Sequence, residues 1–577
     1  MGMGGVGFVP IQGTADLSRI EAPVTVKAYL LCAFAAFGGV FFGYDTGWMG
    51  GVVIMPYFVS MYTGVPYNYE TSEPKNFSLP SPTVSLMTSI LSCGTFFGSL
   101  IAGDLADFVG RRTTIIYGCL VFAMGCILQI ASTNQLVLFV MGRLIAGLGV
   151  GFISAVIILY MSEIAPRKVR GALVSGYQFC ITLGILLANC VTYSTSGRSD
   201  SGSYRIPIAI QFLWALILGI GLYLLPESPR YHVQKGKLDL AAKDLALVRG
   251  QAVDSEYIKD ELAEIVANHE YEMQMIPQTS YIGSWMACFQ GSIRKGNSNL
   301  RRTLLGAGMQ MCQQLTGINF IFYFGPVFFN QIKNGPNPFQ TTLVTTLVNV
   351  LSTPISFWTI EKFGRRLLII IGAVGMIIAQ YIVAILGVTA GKEHADGSHN
   401  EAAIKAMIAF ICINIFSFAT TWGPVGWVIV GESFPLPIRS RGVGISTASN
   451  WFWNCIIGTI TPFMVGNDQG GLGSNVFFVW GSLCFLSLAF AYFLVPEMKG
   501  LSLEQIDQMM EEVEPRRSRG WVATTTFAAE MGHLRPEKGN YMVSPHLPGQ
   551  VQEFPEGGAS QRFREELPGY NQAYFPR

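Results

Sequence analysis

Long apolar stretches alternate with short polar loops along most of this chain. A helix needs about 20 mostly apolar residues to cross a bilayer, and twelve stretches of this kind can be found, six on each side of a long polar segment. The predicted spans, numbered 1 to 12, cover residues 29–55, 84–104, 113–131, 136–161, 171–193, 206–225, 303–331, 340–360, 367–389, 403–430, 440–465 and 473–495. This pattern predicts an all-α membrane protein with twelve transmembrane helices in two six-helix bundles.

The remaining segments are polar and differ from one another. The linker between the bundles has apolar residues at helical spacing with charged opposite faces, which predicts short cytoplasmic helices. After the last span, the helix-like LSLEQIDQMMEEVE gives way to a stretch rich in Pro, Gly and Arg, so we expect disorder from about residue 515. The predicted organisation is an N-terminal segment, a bundle, a linker, a second bundle and a tail, at residues 1–26, 27–225, 226–302, 303–496 and 497–577.

Basic residues in the short loops predict the orientation of the chain, because cytoplasmic loops carry an excess of Lys and Arg. The opposite loops have no basic excess, so both termini and the linker are expected in the cytoplasm. The first outside loop contains the sequon Asn76-Phe77-Ser78, a candidate glycosylation site. The basic residues that share one side are Arg111, Arg112, Arg167, Lys168, Arg170, Lys362, Arg365, Arg366, Arg439 and Arg441.

Composition supports a membrane protein and argues against several classes of function. Charged residues make up 13% of the chain, about half the share in soluble proteins, and the mean hydropathy is +0.39. A net charge of +1 gives no basic surface for nucleic acid. The eleven cysteines show no metal-ligand spacing, the six histidines form no catalytic arrangement, and no phosphate-binding loop is found. We therefore expect no enzyme activity, no metal and no cofactor.

Three motifs recur in the same order in both halves. The pairs are GDLADFVGRR (103–112) with TIEKFGRR (359–366), SEIAPRKVRG (162–171) with GESFPLPIRSRG (431–442), and PESPR (226–230) with PEMKG (496–500). A turn at the end of a helix can explain one such motif on its own. It does not explain three pairs in the same order, which indicate that the chain is a duplicated six-helix bundle. Transporters are commonly built from such repeats, with the substrate at the repeat interface.

These motifs resemble the signatures of the sugar porter family of the major facilitator superfamily, over roughly residues 27–510. The stretches TTWGPVGWVIVGESFPLPIRSRGVG and STASNWFWNCIIG are similar to those of fungal high-affinity monosaccharide transporters. The resemblance implies the major facilitator fold, a plasma-membrane location, and a monomeric carrier for a sugar. In one departure, Phe108 replaces the basic residue common in the family's first loop motif.

Span 7 places several amide side chains on one helical face. Gln310, Gln313 and Gln314 lie at positions i, i+3 and i+4. A sugar needs groups that both donate and accept hydrogen bonds, together with an aromatic surface. Hydrogen bonding between neighbouring helices is the alternative explanation for such amides.

The resemblance implies a set of sugar contacts. QQLTGIN matches the family's span-7 sugar motif, SGYQFC contains its span-5 glutamine, and GPVGW contains its span-10 tryptophan. Ile185 is apolar, as in animal facilitative glucose transporters, which favours a hexose. The implied substrate-binding residues are Gln178, Gln313, Gln314, Asn319, Tyr323, Asn349, Trp427, Asn450 and Trp451.

Asp45 lies inside span 1, in the stretch FFGYDTGWMGGV. An ionisable residue within the membrane is costly and is a functional-site hypothesis by default. We expect its partner to be Arg143 in GRLIAGLGVG of span 4, where glycines allow close helix approach. The resemblance implies that protonation of Asp45 is linked to the change of access. A permanent structural ion pair is the alternative.

Charged residues also recur at the cytoplasmic ends of both halves. In the family such residues hold the halves together while the cavity faces outward. The excess of basic residues in cytoplasmic loops explains the arginines at these ends, but it does not explain the glutamates that recur beside them. The implied gating residues are Asp107, Arg111, Arg112, Glu163, Arg167, Arg170, Glu361, Arg365, Arg366, Glu432, Arg439 and Arg441.

The sequence therefore predicts a monosaccharide transporter, with a hexose such as glucose as substrate and protons as co-substrate. Sugar binding between the halves would bias which side is open. A facilitative uniporter of the same fold and a non-transporting sugar sensor are the alternatives, and quinate or a polyol is an alternative substrate. The expected partners are the sugar, protons and the lipid membrane, with no nucleic acid.

Overall fold

The computed structural model describes residues 24–67, 78–275, 281–293, 298–331, 337–390, 400–466 and 470–522, and its regular elements within these ranges are all helices. Spans 1 to 6 are formed by α1 to α8, with the short α3 following span 1. The helices of this first half are α1 (Val26–Ala36), α2 (Gly38–Val52), α3 (Pro56–Thr63), α4 (Ser81–Val109), α5 (Arg111–Ala131), α6 (Leu136–Ile164), α7 (Arg170–Thr195) and α8 (Gly202–Leu224).

Four short helices form the linker, as its apolar spacing predicts: α9 (Pro229–Gln234), α10 (Leu238–Arg249), α11 (Glu256–Met275) and α12 (Tyr281–Ala287). A small apolar core of its own holds the first three together. Arg249 ties this unit to the first half, because its guanidinium donates to the Ile164 carbonyl at 2.6 Å.

The second half repeats the pattern with more breaks. Spans 7, 8 and 10 each consist of two helices, whereas spans 9, 11 and 12 are continuous. The helices are α13 (Asn299–Leu315), α14 (Ile318–Gln331), α15 (Pro338–Ser352), α16 (Ile355–Phe363), α17 (Arg365–Val388), α18 (Glu401–Ala419), α19 (Trp422–Glu432), α20 (Leu436–Val465) and α21 (Val476–Leu494), followed by α22 (Leu503–Glu512) in the tail.

Length and apolar composition alone identify fewer spans than the sequence predicts. Among the described residues, nine helical segments are long and apolar enough to cross a membrane, and the pair α15 and α16, bent by 43°, makes a tenth. The other two predicted spans are α13 with α14, and α20. Both carry buried amide side chains, which lower their mean hydropathy but face other helices instead of lipid.

The break in span 7 occurs at Gly317, whose φ of +75° favours glycine. A β-carbon there would also collide with the ring of Trp480. The break places Gln313 and Gln314 at the end of α13 and Asn319 at the start of α14. The end of α13 and the start of α14 therefore both carry polar side chains next to the break in span 7.

The two halves meet along several helix pairs. α4 packs against α20, α2 against α14, and α7 against α15 and α19. Within the first half, Gly147 and Gly151 of α6 lie directly against the backbone of α4 near Leu91 and Thr95. Small residues allow helix backbones to approach in this way, and the contact fixes span 4 at the centre of its bundle.

The tail keeps regular structure further than expected. Residues Pro515–Gly520 form a 3-10 helix, although the prediction placed disorder from about residue 515. Ser518 accepts the Glu497 N–H at 2.7 Å, and Arg516 lies 4.4 Å from the ring centroid of Phe493. These contacts come from residues distant in sequence, which is why local composition did not reveal them. Residues 523–577 lie outside the described ranges.

Candidate functional site

The amides of span 7 meet those of α20 in the middle of the second half. Gln313 donates to the carbonyls of Trp422 and Gly423, both at 3.0 Å. Asn450 donates to the side-chain oxygens of Gln310, at 2.6 Å, and Gln313, at 3.0 Å. Gln310 therefore belongs to the cluster, as its place on the same helical face suggests, although the family motif did not assign it a role.

A second part of the same cluster surrounds Asn454. Its amide donates to Gln314 at 3.3 Å and to the Tyr323 hydroxyl at 3.0 Å. Asn319 also donates to the Gln314 side-chain oxygen. Sequence reasoning missed Asn454, although it lies one helical turn after Asn450 in SNWFWN. We use "amide cluster" below for Gln310, Gln313, Gln314, Asn319, Tyr323, Asn450 and Asn454.

Two buried tryptophans extend from the second half to the first. Trp427 donates its indole N–H to Gln178 of span 5 at 3.0 Å. Trp451 donates to Ser154 of span 4 at 3.3 Å, and its ring lies 4.8 Å from that of Phe42. Aromatic surfaces and amides thus adjoin one another at the interface of the halves, which is the chemistry that a sugar ring requires.

Several buried polar atoms near these helices have no hydrogen-bond partner among the described residues. They are both side-chain polar atoms of Asn349, the side-chain oxygen of Asn450 and the hydroxyl of Tyr177. Asn349 is buried in span 8 but is not joined to the amide cluster by a hydrogen bond. A buried polar group without a partner costs about 1–3 kcal/mol, which ligand hydroxyls would relieve.

Hydrogen bonds also join the two halves between α4 and α20, next to the amide cluster. At the end opposite the basic loops, Ser92 donates to Asn454 at 2.7 Å and Ser85 to the Thr459 carbonyl at 3.0 Å. A cavity nearby is lined by residues of α2, α4, α6 and α14, among them Arg143 and Tyr323, and has a volume of about 10 Å³, enough for one water.

Asp45 and Arg143 form a buried ion pair, with 3.2 Å between Asp45 Oδ1 and the guanidinium. Trp48 donates to the same oxygen at 3.3 Å, and the Arg143 guanidinium lies 5.3 Å from the Trp48 ring centroid. Gln211 of span 6 faces the carboxylate. The sequence predicted the Asp45–Arg143 pair. It did not indicate a role for Gln211, a single amide in an apolar stretch.

At the basic end, which we define as the end carrying Arg111 and Arg365, each half contains one buried arginine clamp. Arg111 donates to both oxygens of Glu163 at 3.1 Å, and Arg365 donates to both oxygens of Glu432 at 3.2 and 3.0 Å. Arg111 also pairs with Asp107 at 3.3 Å. Arg365 likewise pairs with Glu361 at 3.5 Å. The predicted networks thus exist within each half.

Other predicted gating residues join the halves. Glu361 accepts the Ala172 N–H at 3.1 Å, and Asp107 accepts from Ser440 at 2.5 Å. Arg167 donates to the Gly500 carbonyl at 2.9 and 2.8 Å. These contacts hold the two halves together at the basic end.

Contacts other than those predicted from the sequence are made by Arg112, Arg366 and Arg441. Arg112 donates to the Leu225 carbonyl at 2.9 Å, and Arg366 to the Tyr492 carbonyl at 2.5 Å. These side chains cap the ends of spans 6 and 12. Arg439 donates to the Phe434 carbonyl at 2.9 Å. Arg441 pairs across the interface with Asp104 at 2.8 Å instead of with Glu432.

The glycosylation candidate Asn76 lies outside the described residues.

The structure also explains why the GRR and PE motifs recur together. Glu227 of PESPR accepts the N–H groups of Arg111 and Arg112, at 3.0 and 3.2 Å, at the start of α5. Burial raises the pKa of the Glu227 carboxyl, although these N–H groups oppose the shift. Glu497 of PEMKG accepts the Arg365 N–H at 2.8 Å. Each glutamate therefore caps the helix that begins at the GRR motif of its own half.

Replacing Glu497 with glutamine is expected to lower the thermal unfolding midpoint of the purified protein. The neutral amide accepts weaker hydrogen bonds from the first turn of α17, a loss of about 1 kcal/mol. Glu401→Gln is the matched control, because Glu401 lies in the first turn of α18 and pairs with Lys405 at the exposed surface. An unchanged midpoint for Glu497→Gln, or an equal drop in both variants, would contradict this role.

Comparison with known proteins identifies the family. The family model described as "Sugar (and other) transporter" matches residues 31–510. The chain belongs to this sugar transporter family. The match confirms the resemblance drawn from the repeated motifs and the prediction that the protein is not an enzyme.

The family relatives include transporters and a sensor. The chain is 44% identical to the major facilitator-type transporter ecdD of Aspergillus rugulosus, over 85% of this chain and 88% of the relative. It is 39% identical to the probable glucose transporter rco-3 of Neurospora crassa, over 85% and 80%. Identity to the high glucose sensor RGT2 of Saccharomyces cerevisiae is 39%, over 87% of this chain and 63% of the sensor.

A solved structure shares the fold. The proton:xylose symporter XylE, with 6-bromo-6-deoxy-D-glucose bound, matches with a TM-score of 0.68 and 24% identity, over 84% of this chain and 99% of that chain. This likeness confirms the major facilitator fold. The sugar transporter family member described here is thus a multi-pass membrane protein.

Proposed function

We propose that this protein imports a monosaccharide, a hexose such as glucose, across the plasma membrane by alternating access coupled to protons. In this proposal the basic end and both termini face the cytoplasm, and the protein acts as a monomer. The observation that carries the proposal is the amide cluster at the interface of the halves, adjoined by the indoles of Trp427 and Trp451. The names of relatives that transport glucose support the substrate class.

The amide cluster suits a sugar because each amide both donates and accepts. In this structure these groups bond to one another, as between Asn450 and Gln310. A hexose would replace such internal bonds with bonds to its hydroxyls and place its apolar face on an indole. Asn349, whose polar atoms lack partners, would then gain one, so binding favours a state in which both halves contact the sugar.

Proton coupling is assigned to Asp45 and Arg143. The second oxygen of Asp45 is buried without a hydrogen-bond partner among the described residues, so it can take a proton without breaking a bond. Protonation removes the charge attraction to Arg143. Arg143 and Tyr323 line the same small cavity, so a shift of the arginine would reach the tyrosine that Asn454 holds in the amide cluster.

A non-transporting sugar sensor is the second candidate, because one relative is named a high glucose sensor. A facilitative uniporter would use the same amide cluster and keep Asp45 as a structural partner of Arg143. A carrier of quinate or a polyol would share the motifs but bind hexoses poorly.

Uptake of radiolabelled sugars by yeast that lacks its own hexose carriers distinguishes these proposed functions. We expect glucose to accumulate above the outside level and a protonophore to abolish that accumulation. Equilibration that is insensitive to the protonophore would establish a uniporter. Absence of uptake of any tested sugar, despite protein at the cell surface, would favour the sensor.

A further inference from the structure

A cavity of about 320 Å³ lies at the basic end, between the ends of spans 7 and 12 and the start of the tail. Arg366 of the basic end donates to the carbonyl of Pro515, one of the residues that line the cavity, at 3.3 Å. Leu304 of α13 and Phe493 and Leu494 of α21 also line it, and these side chains are 45%, 51% and 47% exposed. Exposed apolar patches on membrane-spanning helices face the acyl chains of the bilayer, so the cavity opens toward lipid.

Three arginines line the same cavity, and their charges are not all balanced. Arg302 is paired with Asp507. Arg301 and Arg516 form no ion pair within the part of the chain that the structure describes. Glu514 also lines the cavity, so the lining still carries more positive than negative charge. Such a cavity favours an anionic ligand, because a guanidinium group binds phosphate through two parallel hydrogen bonds.

The start of α13 gives a second reason to expect an anion. This helix has no acidic residue in its first turn, and Ser298 gives it no side-chain cap. The positive end of a helix dipole favours anions, yet Arg301 and Arg302 lie in this turn. Basic residues are also frequent in the two stretches that reach the cavity, IRKGNSNLRR (293–302) and PRRSRG (515–520). Basic runs of this kind beside a span are typical of anionic lipid recognition.

We infer that this cavity binds an anionic phospholipid, with the phosphate between Arg301 and Arg516 and the acyl chains along the exposed apolar residues of spans 7 and 12. The orientation of the chain explains why arginines are frequent at this end, but it does not require three of them to line one cavity. A soluble phosphate would satisfy the arginines and leave the apolar side unused. The inference requires only the membrane-spanning fold, and it goes beyond the proposed transport because the amide cluster takes no part in it.

Binding of dioleoyl phosphatidylserine to the purified full-length protein, counted by native mass spectrometry over a range of lipid concentrations, tests the site. The double variant Arg301→Gln with Arg516→Gln removes both charges and leaves the pair of Arg302 with Asp507 in place. We expect the apparent dissociation constant of the tightest-bound lipid to rise at least about tenfold. Dioleoyl phosphatidylcholine, whose headgroup is neutral overall, should bind the wild type at least about tenfold more weakly than phosphatidylserine. An unchanged constant in the double variant, or equal binding of the two lipids, would overturn the inference.

Two further variants separate this cavity from a general attraction of the basic end. Arg517→Gln with Arg519→Gln removes the same total charge from exposed positions of the neighbouring 3-10 helix, and it should change the constant by less than about twofold. Glu514→Gln removes a carboxylate from the lining and should tighten binding at least about twofold, a gain that loss of folded protein cannot produce. An equal loss in the control variant, or no gain from Glu514→Gln, would overturn the inference.

Two measurements distinguish the lipid from a soluble anion and locate it. Glycerophosphoserine, which has the headgroup but no acyl chains, should not displace phosphatidylserine at equal concentration, and displacement would overturn the lipid in favour of a soluble anion. A photoreactive phosphatidylserine should label peptides that contain the start of α13 or the end of α21, and labelling confined to other peptides would overturn the inference. Absence of sugar uptake by the wild type would overturn only the proposed function.

Discussion

Replacing Asp45 with asparagine is expected to abolish accumulation of sugar above the outside level while leaving exchange of sugar between the two sides largely intact. The asparagine oxygen can still accept from Trp48 and Arg143, which contact Asp45 Oδ1 at 3.3 and 3.2 Å. The side chain can no longer take up and release a proton, so the change of access loses its link to the proton gradient. Uptake and counterflow of radiolabelled glucose, normalised to surface protein, measure the two activities.

Two further variants keep this prediction decisive. Asp200→Asn makes the same change in an exposed pair with Arg198, where the residues are 57% and 47% exposed, and should leave accumulation unchanged. Asp45→Glu retains a titratable group and should keep some accumulation that a protonophore abolishes. If Asp45→Asn still accumulates sugar, Asp45 serves only as a structural partner of Arg143 and the coupling proposal fails.

Truncating Gln313 to alanine is expected to raise the half-saturation constant for uptake at least about tenfold. The buried side chain donates to two carbonyls of α19 and accepts from Asn450, so it holds α13, α19 and α20 at one point. In the proposed function Gln313 exchanges some of these bonds for bonds to the sugar, and each such bond lost costs about 0.5–1.5 kcal/mol, where about 1.4 kcal/mol corresponds to a factor of ten in affinity. Initial rates of uptake over a range of glucose concentrations provide the measurement.

Gln340→Ala is the matched control, because Gln340 is exposed at the start of span 8 and should tolerate truncation. The maximal rate per surface molecule separates loss of affinity from loss of folded protein. A Gln313→Ala protein with normal half-saturation would show that this amide is only a contact between helices, which is the alternative that the sequence leaves open.

The hydropathy pattern was enough to predict most of the spans because lipid excludes unsatisfied polar groups whatever the tertiary contacts are. The breaks inside the spans were harder to predict from the sequence than the spans themselves. Gly317 occurs among many glycines, and its positive φ becomes meaningful only beside Trp480. The break after Ala419 falls at Thr420 and Thr421, just before Gly423 and Pro424 in the first turn of α19. Local sequence therefore fixes where the chain crosses the membrane better than how each crossing bends.

For the candidate site, the sequence identified residues whose spacing reveals a shared face. Gln310, Gln313 and Gln314 follow one stripe of α13, and the structure joins them in one cluster. Asn349 has the expected position but no hydrogen bond to that cluster. Gln211 was not assigned, because an isolated amide in an apolar helix gives no local indication of what it faces. Asn454 was missed although it lies one helical turn after Asn450.

Neighbouring residues of the same type show most clearly which contacts the sequence alone does not predict. Arg111 reaches Glu163, whereas Arg112 reaches the end of span 6, and only the rotation of α5 decides between them. Asp104 and Arg441 likewise meet across more than three hundred residues. The sequence by itself determined the family, the repeat and the spans, since these follow from partitioning into lipid and from local motifs. The tertiary structure alone decided which charges and amides meet, because that depends on packing between helices far apart in the chain.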